Sequence, residues 1–209
     1  MNQGKFITFE GGDGSGKTTQ LSRTIDWLKS QGKHVLQTFE PGDSALGKEI
    51  RRLLLSGEHT PVPAAELLLF LADRAQHVET VIKPALAAGK WVVCDRYTDS
   101  TLAYQLAGRA LKDNGQLRDM LAWAECGVSP DKTIWLDLSV EDAAARMASR
   151  EAGGEAANRL DNEKVSFHKA VYAAFDNIQR ENPTRVQRIN AGQSIEDVQA
   201  DIQTVLGQL

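Results

Sequence analysis

The stretch KFITFEGGDGSGKTT, residues 5–19, decides how the rest of the chain is read. Residues 5–10 form a short apolar run that reads as a buried strand. Gly11, Gly12, Asp13, Gly14, Ser15, Gly16, Lys17 and Thr18 then match G-x-x-x-x-G-K-[ST]. The segment after Gly16 reads as a helix to about Ser30, with Gly32 as its stop. A strand, a glycine loop and a helix in that order make a cradle for a chain of phosphates. The glycines let backbone N–H groups turn inward, and the helix adds its positive end. On this reading Gly11 to Thr18, with Thr19, bind the phosphates of a nucleoside triphosphate. Lys17 reaches the β- and γ-phosphates, and Thr18 ligates Mg²⁺.

Working outward, strand and helix patterns alternate. HVLQTFE (34–40), WVVCD (91–95), TIWLDL (133–138) and VQRIN (186–190) read as further strands. Residues 45–56 read as a short helix. Pro61 and Pro63 open a long apolar helix that ends at Gly89 and bends at Pro84, where a backbone bond is lost. Ser139 and Asp142 have the spacing of a capping box that opens a helix to Arg150. Gly153 and Gly154 break it, a further helix covers roughly 159–181, and the last follows Ser194. Short apolar strands separated by helices predict an α/β fold: a five-stranded parallel sheet with helices on both faces, the three-layer arrangement of phosphate-loop NTPases. Ligands in such sheets bind beyond the carboxyl ends of the strands. Glu40 after the second strand, Asp95 and Arg96 after the third, and the arginines of 146–159 beyond the fourth are therefore candidates.

The 209 residues suit one domain over 1–209, with a lid segment at about 146–160. A net charge of -4 argues against nucleic acid as a partner. No apolar run is long enough for a membrane span, and the N-terminus has no signal-peptide pattern, so the expected location is cytoplasmic. Cys94 and Cys126 lack metal-ligand spacing, and Cys94 reads as a core residue. The four histidines show no metal or base arrangement. No N-K-x-D motif is present to read guanine, which counts against a GTPase. Asp13 places a carboxylate inside the loop, where it faces a magnesium ion or a second ligand's hydroxyl rather than bare phosphates.

A second pocket follows from Phe70 and Arg74. They lie four apart on the long helix and share a face, so one can stack on a base while the other donates to its oxygens. DRYTDSTLAYQ (95–105) adds Arg96, Thr101, Tyr104 and Gln105, with Asp99 and Ser100 reading as helix caps. With FEGGDGSGKTTQ, EPG at 40–42 followed by Arg51, F-x-x-x-R and the arginines of 146–159, the chain resembles the bacterial thymidylate kinases over nearly its whole length. The resemblance implies phosphoryl transfer from ATP to dTMP with Mg²⁺, held by Thr18 and Asp95, in a homodimer. It implies that Phe70 stacks on thymine, that Arg74 donates to a thymine carbonyl, and that Thr101 and Gln105 contact the polar edge of the base. Tyr104 crowds the place of a ribose 2′-hydroxyl, Arg51 and Arg96 hold the acceptor phosphate, and Glu40 belongs to the acceptor site. Asp13 meets the sugar 3′-hydroxyl or metal-bound water. The catalytic set is then Asp13, Lys17, Arg96, Arg150 and Arg159, the last two as lid arginines because the loop contains none. The chain departs from the family's R-E-P-G-G in having Phe39 and Asp43, and it has Asn158-Arg159 where D-R is usual. A P-loop kinase for another nucleotide or nucleoside, or a nucleotide-binding regulator without turnover, are the other readings.

Overall fold

The computed structural model describes residues 4–112, 115–154, 159–160 and 163–209. The strands β1 (Phe6–Glu10), β2 (Val35–Phe39), β3 (Trp91–Asp95), β4 (Lys132–Asp137) and β5 (Val186–Asn190) form one sheet. The order is β2-β3-β1-β4-β5, and all pairings are parallel. The predicted fold class therefore holds, with β1 at the centre.

The sheet is covered on both faces because its central strands carry apolar side chains on each. Ile7 and Phe9 of β1 pack with Leu21, Ile25 and Leu28 of α1 (Lys17–Ser30) and with Val198, Ile202 and Leu206 of α9 (Ile195–Leu206). On the other face Phe6, Val92 and Cys94 meet Val78, Ile82 and Ala85, while Trp135 and Val186 meet Phe167, Val171, Phe175 and Ile178 of α8 (Val165–Glu181). The core role predicted for Cys94 is borne out, since it is wholly buried.

Between these lie α2 (Ala45–Leu55), α3 (Pro63–His77), α4 (Lys83–Ala87), α5 (Thr98–Thr101), α6 (Gln116–Ala124) and α7 (Val140–Ala152). The Ser139–Asp142 box is formed: Asp142 N donates to Ser139 Oγ at 3.0 Å, and Ser139 Oγ to Asp142 Oδ2 at 2.6 Å. Pro84 acts differently from the simple bend expected. A π-helical turn, Val78–Ile82, joins α3 to α4, so that Pro84 falls in the first turn of α4, where a missing N–H costs little. A second π-helical stretch, Leu102–Gly108, follows α5 and carries Tyr104 and Gln105. The helix expected over 159–181 begins only at Val165. The helix α6 was not anticipated. Gly115 at its N-cap gives no side-chain cap, and burial of Leu121 and Ala124 against Leu67 and Leu71 holds it instead. Residues 155–158 of the expected lid lie outside the described residues.

Candidate active site

A cavity of about 1060 Å³ opens beyond the carboxyl ends of the strands. One half of it is the loop after β1. Gly14 and Gly16 have φ of 80° and 93°, a region that side chains with a Cβ rarely adopt. A Cβ on Gly14 would also sit 2.7 Å from the carbonyl oxygen of Ala143. Residues Asp13 through Thr19 line the cavity, and Gly11 and Gly12 accept hydrogen bonds from Lys17 Nζ at 3.1 and 2.9 Å. Burial, followed by the nearby Arg96 charge, lowers the pKa of Lys17 from its ordinary value.

Arg96 joins this half to the rest. It follows β3 directly and has φ of 68°, a strained backbone for a residue other than glycine. Its backbone N–H donates to Phe9 O at 2.9 Å, and its guanidinium donates to Asp13 Oδ1 at 2.6 Å and to Gly11 O and Ser100 Oγ at 3.1 Å. The Tyr104 ring lies under the same guanidinium at 4.8 Å, and its hydroxyl donates to Asp13 Oδ2 at 3.1 Å. Burial works to raise the pKa of Asp13, but Arg96 and Lys17 outweigh it and hold the carboxyl well below its usual range. Tyr104 also packs edge-on against Phe167 and Phe175, so it combines packing with a polar contact.

Asp99 and Ser100 do not cap a helix. Asp99 takes Arg185 on both oxygens, at 2.6 and 2.9 Å. Ser100 Oγ donates to Glu10 Oε2 at 2.5 Å. Glu10 was not anticipated from sequence. It ends the buried β1, also accepts from Tyr97 N at 2.7 Å, and is pushed up to about 8 by burial and by Asp99.

The other half is lined by Glu40, Arg51, Phe70, Arg74, Thr101 and Gln105. Glu40, expected to touch a ligand, is committed elsewhere. Oε2 takes Arg74 Nε and Nη2 at 2.9 and 2.8 Å, and Oε1 pairs with His77 Nδ1 at 2.9 Å. A carboxylate this deeply buried is costly unless paired, so Glu40 acts through Arg74. The remaining nitrogen, Arg74 Nη1, is buried and has no partner. Its guanidinium also lies over the Tyr97 ring at 4.8 Å.

His77 was assigned no chemistry from sequence, yet it ties the departure at residue 43 to this site. His77 Nε2 meets Thr38 Oγ1 at 2.5 Å, and Thr38 Oγ1 donates to Asp43 Oδ2 at 2.6 Å. Asp43 thus belongs to a buried chain that runs through Thr38, His77 and Glu40 to Arg74. Phe39, the other departure, lies 5.4 Å from the guanidinium of Arg51, which donates to Pro41 O at 2.7 Å. No sequence signal marked the Thr38–His77–Glu40 link, because His77 lies 39 and 37 residues from the two groups it joins.

Two of the three lid arginines line the cavity. Arg146 and Arg150 do so from α7, and Arg146 Nη2 donates to Ala191 O at 3.0 Å. Arg159 is placed differently from the expectation and does not line it. It donates to Leu54 O at 2.9 Å and to Glu66 Oε2 at 2.5 Å. Glu66, also missed from sequence, is fully buried and attracts this guanidinium strongly, which turns Arg159 toward the half lined by Phe70 and Arg74.

Thr18 and Asp95 both line the cavity, and Asp95 Oδ1 is buried without a hydrogen-bond partner. An unsatisfied carboxylate oxygen and a hydroxyl on one cavity wall suit a magnesium ion that takes most of its remaining ligands from phosphate and water. Among the described residues no group of three or more acidic, His or Cys side chains forms a protein-only metal cage.

A family model described as thymidylate kinase matches residues 9–202. A thymidylate kinase from a Synechococcus strain is 47% identical over 201 residues, covering 96% of this chain and 93% of that protein. One from Nostoc punctiforme is 45% identical over 206 residues, covering 97% and 95%. The crystal structure of thymidylate kinase from Ehrlichia chaffeensis superposes with a TM-score of 0.77 at 32% identity, covering 98% of each chain.

Proposed function

The chain belongs to the thymidylate kinase family and is an ATP-dependent nucleoside monophosphate kinase that makes dTDP from dTMP in the supply of dTTP; from that premise we propose which of its residues carry the transfer. The observation that supports the assignment best is the single cavity in which the loop of residues 13–19 and the Phe70–Arg74–Gln105 group face each other, with Arg96 bonded to Asp13 between them.

The acceptor is a phosphate monoester whose oxygen is ionised near neutral pH, so no strong base is required. The difficulty is to bring two anions together and to stabilise the moving phosphoryl group. The loop N–H groups and Lys17 hold the β- and γ-phosphates. Arg96 and Arg51 hold the acceptor phosphate, and Asp13 keeps Arg96 aimed and accepts from the sugar 3′-hydroxyl. Phe70 stacks on thymine, Arg74 Nη1 donates to a base carbonyl, Thr101 and Gln105 meet the polar edge, and the Tyr104 ring disfavours a 2′-hydroxyl. Arg150 is the arginine of α7 that serves the donor phosphates, while Arg159 joins it only on leaving Glu66. Thr18 and Asp95 would hold Mg²⁺, which would supply charge neutralisation on the donor phosphates. The segment around 146–160 acts as a lid on one domain, and the enzyme works in the cytoplasm on small molecules, without nucleic acid. No helix among the described residues is long and apolar enough to cross a membrane.

An ADP-release assay with ATP, Mg²⁺ and a panel of nucleoside monophosphates tests the acceptor assignment. dTMP gives the highest kcat/KM, and a preference for UMP or CMP overturns the roles given to Arg74, Gln105 and Tyr104. A homodimer is also part of the proposal. Leu68 on α3 and Trp123 on α6 are 53% and 79% exposed, and the two helices pack on each other through Leu67, Leu71, Leu121 and Ala124. Light scattering reads the mass directly, and a monomer at micromolar concentration refutes it.

A further inference from the structure

Glu66 lies on α3 with no exposed surface, and its carboxylate accepts from three side chains. Arg109 donates Nε to Oε1 at 3.0 Å and Nη2 to Oε2 at 3.1 Å. Arg159 donates Nη2 to Oε2 at 2.5 Å, and Gln105 donates Nε2 to Oε1 at 3.0 Å. Burial alone would favour the neutral acid. The bonds from Arg109, Gln105 and Arg159 outweigh it and hold the carboxyl below its ordinary range.

An ionised carboxylate only accepts, whereas a glutamine amide has one accepting end and one donating end. Only the NH₂ of Gln105 can therefore face Glu66. Gln105 lines the cavity, and with its NH₂ committed to Glu66 the carbonyl oxygen is the end left to face a ligand there. We propose that Glu66 is a positioning residue that fixes the polarity of Gln105, so that the acceptor pocket offers the base a carbonyl oxygen and selects a base edge carrying an N–H donor there.

The neighbouring reader makes this selective. Arg74 also lines the cavity, and its buried Nη1 has no partner. A guanidinium has only donors, so its polarity needs no help. Gln105 can flip, and an unanchored amide would satisfy either kind of base. A fixed donor at Arg74 beside a fixed acceptor at Gln105 complements the acceptor–donor edge of thymine or uracil, O4 and N3–H. It opposes the donor–acceptor edge of cytosine, whose amino group replaces O4 and whose N3 has no proton. The two arginines on Glu66 keep it ionised in a place where it would otherwise take up a proton and gain a donor of its own. Arg109, which has no part in the transfer, is in turn fixed by Glu163 Oε1 at 2.5 Å and lies 4.9 Å over the Phe167 ring.

The test is the ratio of kcat/KM for dTMP to that for dCMP in the full enzyme, with the KM for ATP as internal control. E66Q presents Gln105 with both a donor and an acceptor, so the ratio falls about tenfold while the KM for ATP stays within twofold of wild type. E66D retains the charge and restores most of the ratio. If E66Q does not fold, E66Q/R109Q, which removes a stranded charge together with the carboxylate, is measured in its place. A folded E66Q or E66Q/R109Q enzyme with the wild-type ratio overturns the inference. It rests on the base contact proposed above for Gln105, and Q105A separates the two. An unchanged acceptor KM in Q105A removes the contact and the inference with it. A raised KM in Q105A with an unchanged ratio in E66Q removes the inference alone.

Discussion

The two halves of the cavity are built on different principles. The half proposed to hold the donor comes from one contiguous run, of which residues 13–19 line the cavity, and it offers mainly backbone N–H groups at the start of α1. The half proposed to hold the acceptor is assembled from α2, α3, the turn after β3 and the π-helical stretch at 102–108, and it offers side chains. Backbone donors are held by glycine conformations and need no further support. Side-chain readers must be aimed, and three of them have a carboxylate behind them: Glu40 for Arg74, Glu66 for Gln105 and Asp13 for Arg96. Recognition by the chain's own backbone is thus local, and recognition by side chains requires buried counter-charges from elsewhere in the fold.

Substitutions that strike one half should leave the other intact. Lys17→Ala has the largest effect, lowering kcat about a thousandfold, while dTMP binding measured by calorimetry is preserved. Arg150→Ala comes next. It reduces kcat about a hundredfold with the acceptor KM within twofold, and a KM that rises as much as kcat falls would move Arg150 to the acceptor half. Arg74→Ala raises the acceptor KM about tenfold and leaves the KM for ATP unchanged. It also strands Glu40, so the same variant loses about 3–5 kcal/mol of stability, read by urea denaturation. Lys17→Ala leaves Asp13 with Arg96 as its bonded partner, so its loss in that measurement is smaller than that of Arg74→Ala.

A last effect, on stability rather than turnover, concerns Glu10 at the end of β1. Its folded pKa of about 8 stands above the ordinary value of 4.5. Between those values the folded chain keeps a proton that the unfolded chain has released. This group's contribution to stability therefore falls as pH rises through the window, by at most about 1.4 kcal/mol per pH unit, and levels off above it. Glu10→Gln flattens that part of the profile. A wild-type slope retained in the variant would assign it to Asp73, which burial and Glu40 push up to about 6.

The legibility of the site follows the same division. The loop could be read from spacing alone, whereas Phe70 and Arg74, which share a helix face, gained weight only from DRYTDSTLAYQ and the family resemblance. The apolar strand runs were legible because burial on both faces leaves no polar alternation. The partners of Glu40, His77 and Glu66 were not legible, since they lie 34 to 93 residues away in the chain. Arg159 was assigned by its neighbours in sequence, whereas a buried carboxylate on α3 decides where it points. The π-helical turns were equally invisible, because tertiary packing selects them over the ordinary helical bond pattern.

By itself the sequence determined the parallel sheet and the phosphate loop, because each rests on short-range periodicity or glycine conformation, while the acceptor residues came from the resemblance to the family. Only the tertiary structure decided which carboxylates stand behind those readers, which arginines face the donor and how Gln105 is turned. Those outcomes depend on charges that burial forces to find partners, and a partner's distance in space is not written in its distance along the chain.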